Sequence, residues 1–164
     1  MKKIIILLTI LFLTGCDYKE LNDLGIVSSI GIDKKDDSFK ICLEVLNTDK
    51  KNSKNIIYYS SGKTLNEAIN KVNNKSYKKI YGGHLNQIIV SEEATNDFDH
   101  IIDTFIRLTE VKDEIDMFIS EDDPCKIIKN NIKNNNEESY KLLNNPRNYS
   151  SRSSNTNIDT YLSN

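Results

Sequence analysis

The sequence predicts an α+β domain: a mixed β-sheet with an antiparallel N-terminal hairpin and about three helices. Three observations carry this. Two β-rich runs, Gly25 to Ile32 and Phe39 to Leu46, flank the charged, turn-forming stretch Asp33 to Ser38, which suits a hairpin loop. Downstream, strand and helix patterns alternate as far as Ile132, and strand-helix-strand units favour parallel crossovers. Finally, Ile88-Ile89-Val90 lacks alternation, the mark of an inner strand buried on both faces.

Each element has a local reason. In the second run Phe39, Ile41, Leu43 and Val45 share one face and Lys40, Cys42 and Glu44 the other, so it reads as a half-exposed antiparallel strand. Asp49 to Asn55 is a polar loop, and Ile56 to Ser60 is a third strand. Thr64-Leu65-Asn66-Glu67 has the capping-box form, and Leu65, Ala68, Ile69 and Val72 repeat at helical spacing, which predicts a helix over 65–75. Gly82-Gly83 breaks the chain before the strand Leu85 to Val90, the candidate centre of the sheet.

Phe98, Ile101, Ile102, Phe105, Ile106 and Leu108 then recur at helical period. Glu92, Glu93 and Asp97 precede or open that run, where the helix dipole favours acids; the prediction is one helix over 95–108. A strand over 115–119 follows. Asp123-Pro124 reads as an N-cap with proline at the first helical position, opening a helix that carries Ile127, Ile128 and Ile132. Beyond Asn134 the pattern decays: 137–143 reads as a short helix, and 144–157, mostly Asn, Ser and Arg, as a linker or disordered end.

The N-terminus is an address. Lys2 and Lys3 precede an apolar run from Ile4 to Leu13, interrupted only by Thr9; about ten apolar residues behind a positive start make a secretory signal peptide, too short to span a bilayer. Leu13-Thr14-Gly15-Cys16 looks like a bacterial lipobox, in which the cysteine is lipidated and becomes the mature N-terminus. Two acyl chains on Cys16 anchor stably, because burial stabilises by about 0.8 kcal/mol per CH₂. The expected organisation is a signal peptide over 1–15, a lipidated tether over 16–24, an α+β domain over 25–135 and a polar tail over 136–164.

Composition narrows the function. The 164-residue chain has a formal charge of −2; removing residues 1–15 takes away two lysines and no acids, giving −4. A mildly acidic chain gives no reason to expect nucleic acid or an anionic lipid surface as partner. Once Cys16 is acylated, Cys42 and Cys125 remain. They could pair outside the cell, but one possible bridge is not a disulfide framework, and free thiols are the favoured reading.

Catalytic and metal-binding motifs are lacking. His84 and His100 are the two histidines, and neither stands in an HExxH or CxxC context. Glu121-Asp122-Asp123 lacks EF-hand spacing and glycine, and reads as a solvated turn before a helix. Ser60 to Thr64 ends like a P-loop, but Ile57 stands where the first glycine belongs. With no nucleophile elbow either, the chain is read as a non-enzyme needing no cofactor and no metal. The local oddity is Tyr81-Gly82-Gly83-His84: two glycines permit φ > 0 or a close backbone approach, and His84 could offer a polar group at a strand end, or simply complete a tight turn. The segment from Tyr77 through Tyr81, Gly82 and Gly83 to His84, with Tyr58 and Tyr59 as possible neighbours, is the candidate partner-contact site, since tyrosine is enriched at interfaces.

Three segments, "LTGCDYKELNDLGIVSSIGIDK" (13–34), "YSSGKTLNEAINKVNNKSYKKIYGGHLNQIIVSEE" (59–93) and "DTFIRLTEVKDEIDMFIS" (103–120), together resemble the N-terminal domain of the Ger(x)C lipoproteins, the C subunits of nutrient germinant receptors. The resemblance spans about Cys16 to Lys133, and Gly83-His84 is among its best-matching positions. It implies a protein anchored through diacylglyceryl-Cys16 on the outer face of the spore inner membrane, beside a polytopic A subunit and a membrane-integral B subunit, acting in germination without known catalysis. Family members usually carry a tryptophan between the lipidated cysteine and the aspartate; here Cys16 is followed directly by Asp17, and the chain has no tryptophan. The family also continues through two further domains, beyond the point where these 164 residues stop. A solute-binding lipoprotein of an uptake system is the alternative, and it would need an apolar cleft with a few convergent polar groups.

Overall fold

The computed structural model describes residues 23–47, 54–107, 115–135 and 155–157. The signal peptide, Cys16 and the short helix read at 137–143 lie outside the described residues. Strands β1 (Leu24–Lys35), β2 (Ser38–Val45), β3 (Ile56–Gly62), β4 (Lys79–Tyr81), β5 (Gln87–Ser91), β6 (Asp116–Ser120) and β7 (Asn155–Asn157) form one sheet. Its order is β3-β2-β1-β5-β6-β7, with β4 also paired to β1. Three α-helices complete the fold: α1 (Leu65–Lys75), α2 (Phe98–Arg107) and α3 (Pro124–Asn135).

The sheet is mixed, as the sequence predicts: β1, β2 and β3 are antiparallel neighbours, whereas β4 and β5 run parallel to β1, and β6 parallel to β5. The hairpin is tighter than the sequence suggests. Asp33, Lys34 and Lys35 extend β1, leaving Asp36 and Asp37 as the turn. Asp36 takes φ = 54°, the left-handed region that aspartate tolerates.

Two helical layers enclose the sheet. On one face α1 and α2 cover the main core, where Ile30, Ile41, Leu43, Ile88, Val90, Val72 and Ile101 meet. On the other, Ile128 and Ile132 of α3 pack on Cys42, Ile89 and Phe118. Every residue of β5 is buried, which fits the inner strand read from Ile88-Ile89-Val90.

That second layer corrects two readings. β2 is not half-exposed: apart from Lys40 its outer face is closed, with Cys42 and Glu44 both at 0% exposure. Alternation reported the chemistry of the face, not the helix that covers it; Glu44 meets the cost of burial by accepting a hydrogen bond from Asn55 Nδ2 at 2.8 Å. Nor are the cysteines free. Cys42 and Cys125 form a disulfide with Cα atoms 5.7 Å apart, tying β2 to the first turn of α3. It crosses β1 at Gly31, the register partner of Cys42, where an added Cβ would lie 2.7 Å from Cys42 Sγ and 3.1 Å from the Pro124 backbone. Glycine is required there by close approach.

Caps place the helices as read. Glu67 N donates to Thr64 Oγ1 at 3.1 Å, and Glu67 Oε2 accepts from Lys63 N at 2.8 Å. Asp123 Oδ1 accepts from Cys125 N (2.9 Å) and Lys126 N (3.3 Å), with Pro124 opening α3. The helix read over 95–108 is instead a 3-10 helix, Glu93–Asp97, followed by α2. Thr95 Oγ1 and Asn96 Nδ2 bond back to the carbonyls of Glu92 and Glu93, and such local bonds compete with α-helical pairing. From the tail read as linker or disorder, Asn155–Asn157 adds an antiparallel strand to β6.

At the other edge, Lys71 and Lys75 of α1 donate to the carbonyl oxygens of Ser61 and Tyr59 on β3. Covering an edge strand in this way discourages pairing with another chain.

Two measurements check these interactions. The Cys42–Cys125 bridge spans 83 residues, so Cys125→Ser should lower unfolding free energy by about 3–4 kcal/mol in urea titrations, and dithiothreitol should cost the wild type a similar amount and the variant nothing. The Glu67 carboxyl is held below the ordinary 4.5, first by its hydrogen bond from Lys71 and then by the Lys63 N–H. A lowered folded-state pKa stabilises above the unfolded value and is lost as pH falls through the folded one. Carbon-detected NMR should therefore place the Glu67 midpoint below 4.5, and Lys71→Ala should raise it.

Candidate partner-contact site

The candidate segment is built by an interruption in a parallel ladder. β4 pairs with β1 at Leu24↔Lys79 through Ile26↔Tyr81, an offset of 79 − 24 = 55. β5 resumes at Ser29↔Gln87, an offset of 87 − 29 = 58. Three extra residues are therefore looped out between two strands that lie along the same edge of β1. Gly82 to Asn86 form the detour, closed by Leu85 N donating to Gly82 O at 2.9 Å, and the chain rejoins the sheet where Asn86 N donates to Ser28 O at 3.0 Å.

The glycines serve close approach here. No glycine in the described residues has positive φ. An added Cβ at Gly83 would stand 2.3 Å from the Tyr81 hydroxyl and 2.4 Å from its ring Cζ, so the ring folds over the place a side chain would occupy. Tyr81, Gly82 and Gly83 are half-buried and His84 is exposed. Tyr77, between α1 and β4, is 77% exposed. The structure thus gathers Tyr77, Tyr81, Gly82, Gly83 and His84 at one edge of β1.

It does not add the other tyrosines as a pair. Tyr58 and Tyr59 lie on β3, separated from β1 by β2. Tyr58 packs against the main core, whereas Tyr59 is 47% exposed. Burial and the carboxylate of Asp123, in that order, raise the Tyr59 hydroxyl above its ordinary pKa, which associates it with the start of α3 on the opposite face.

The sequence reading missed the apolar cavity beneath the detour. Val27, Ile30, Leu43, Ile69, Leu85 and Phe105 line about 410 Å³, with Asn73, Lys79 and Gly82 among its further lining residues. Its walls come from three strands, two helices and the detour itself, so no single segment signals it. At the far end of the sheet Asp33, Asp36, Glu93, Glu121, Asp122 and Asp123, with Lys34 and Lys35, line a predominantly acidic cleft of about 560 Å³. Among the described residues no group of three or more His, Cys, Asp or Glu could hold a metal ion. No helix there is long and apolar enough to cross a membrane.

A family model described as the spore germination protein N-terminal domain matches residues 17–164. Spore germination protein KC of Bacillus subtilis (strain 168) is 28% identical over 124 residues, covering 66% of this chain and 30% of that protein. The putative spore germination protein YfkR of the same organism is 28% identical over 109 residues, covering 58% of this chain and 28% of its own length. The chain thus spans less than a third of either relative. No solved structure matches.

The packing of Tyr81 over Gly83 predicts a coupled pair. Gly83→Ala should cost about 1 kcal/mol by displacing the ring, and the same change in a Tyr81→Ala background should cost markedly less. A double-mutant cycle in urea unfolding reads the difference.

Proposed function

The chain belongs to the spore germination protein N-terminal domain family, and from that membership we propose that it is a lipid-anchored, non-catalytic subunit of a nutrient germinant receptor. It acts in germination through protein contacts at the spore inner membrane, with receptor A and B subunits as partners. The observation that carries this reading is the family match over residues 17–164, directly behind the lipobox-like Leu13 to Cys16. The looped-out segment from Gly82 to His84, with the Tyr81 ring beside it, is the surface offered to those partners: exposed or half-buried, and held on a strand of the central sheet. On this reading Cys16 carries the diacylglyceryl group, and residues 17–23 set the distance to the membrane.

The cavity favours a second reading, a solute-binding lipoprotein, because a mostly apolar space of about 410 Å³ with Asn73 and Lys79 in its lining is within the range of small-molecule sites. Family membership makes the germination role the stronger of the two.

Mass spectrometry of the mature N-terminal peptide, taken from a detergent extract of spore inner membranes, tests the anchor. The expected species starts at diacylated Cys16; an unmodified N-terminus in the soluble fraction would contradict it. A thermal-shift screen with amino acids and sugars separates the two readings. A saturable rise in melting temperature favours the solute binder, since a ligand binding only the native state must stabilise it.

A further inference from the structure

The N-terminal end of β1 reaches past the start of β5. β1 pairs with β4 over Leu24 to Ile26, and pairing with β5 begins only at Ser29, five residues further on. At about 3.3 Å per residue, this end projects roughly 16 Å beyond the start of β5. The last residues of β2 and the first of β3 flank it, through Leu46 N donating to Ile26 O and the pairing of Val45 with Ile56.

The described side chains at this end are basic and aromatic. Tyr77 is 77% exposed. Lys54, just before β3, and Lys79, the first residue of β4, are exposed, Lys78 is half-buried, and the acid beside them is Asp23. The far end carries the opposite sign, in the cleft where Asp33, Asp36, Glu93 and the Glu121-Asp122-Asp123 run outnumber Lys34 and Lys35. A formal charge of −2 for the whole chain therefore hides a charge separation along β1.

We propose that the Lys54, Tyr77 and Lys79 end is a membrane-docking face for an anionic lipid bilayer, which seats the domain with its acidic end pointing away. This rests on the reading of Cys16 as the lipid anchor. From Cys16 to Asp23 is seven residues, at most roughly 25 Å, whereas β1 runs about 36 Å from Leu24 to Lys35, so the anchored acyl chains hold the bilayer surface near this end and short of the acidic one. Tyrosine rings settle at the headgroup level, and lysines within a Debye length of the surface are drawn to anionic lipid. The acidic end is repelled by the same surface, so both ends favour one orientation.

The absence of tryptophan from the chain makes a clean test possible. Full-length acylated protein carrying Tyr77→Trp, or His100→Trp as a control on exposed α2 surface, is reconstituted into phosphatidylcholine vesicles with and without phosphatidylglycerol. Emission and quenching by bromolipids are then read. The indole at position 77 should shift to the blue and be quenched several-fold more strongly with phosphatidylglycerol, and the indole at position 100 should not. Adding Lys54→Glu and Lys79→Glu should abolish the quenching at position 77 while the protein still floats with the vesicles. Equal quenching at both positions, or none at position 77 in vesicle-bound acylated protein, would overturn the docking face alone. Mass spectrometry of the same sample reads Cys16, and an unacylated cysteine would overturn the anchor and this inference with it.

Discussion

The structure depends on the pairing of one long strand. β1 has twelve residues, more than its partners β2, β4 and β5, and it holds β2 antiparallel on one edge while β4 and β5 share the other. Because a slip of one residue would send every side chain to the opposite face, the register at Ile30 and Ile32 fixes which residues reach the main core. It also fixes what meets α3 at Gly31. The detour from Gly82 to Asn86 exists because β4 and β5 occupy one edge with different offsets.

The second layer follows from a single gap in that strand. Gly31 has no side chain, so Cys42 and Cys125 meet across it and bring the start of α3 onto the sheet. The helix then closes Ile89 and Phe118 from solvent. Covalent closure and apolar packing thus act on the same face, and Glu44 is buried beside them with Asn55 as partner. The candidate contact surface is built along the other edge of β1, where the ladder is interrupted and His84 is exposed.

Much of the architecture was legible from local pattern. Helical spacing after Thr64-Leu65-Asn66-Glu67 located α1, Asp123-Pro124 located the start of α3, and the unbroken Ile88-Ile89-Val90 run identified a strand covered on both faces. The losses came where the deciding partner is distant. Three residues, Lys79 to Tyr81, are too few to show alternation, so β4 was invisible. The alternation in β2 could not show that α3, more than eighty residues later, would cover Cys42 and Glu44. Free thiols were favoured because nothing near Cys42 or Cys125 reveals that Gly31 lets them touch. Of the candidate site, the glycine detour and the tyrosines were readable as an oddity. The reason for Gly83, a ring lying over it, and the cavity behind it required the fold.

On the proposed function, the chain's role is tied to the membrane at one end and to partners along one edge, and both depend on Cys16. The most direct measurement is the germination rate of spores carrying Cys16→Ala in the native gene, followed by loss of optical density over a panel of nutrients, beside wild-type and deletion strains. The account predicts that Cys16→Ala and the deletion lose the same nutrient response, with the variant protein gone from the inner-membrane fraction. Wild-type germination by a variant that leaves the membrane would contradict it.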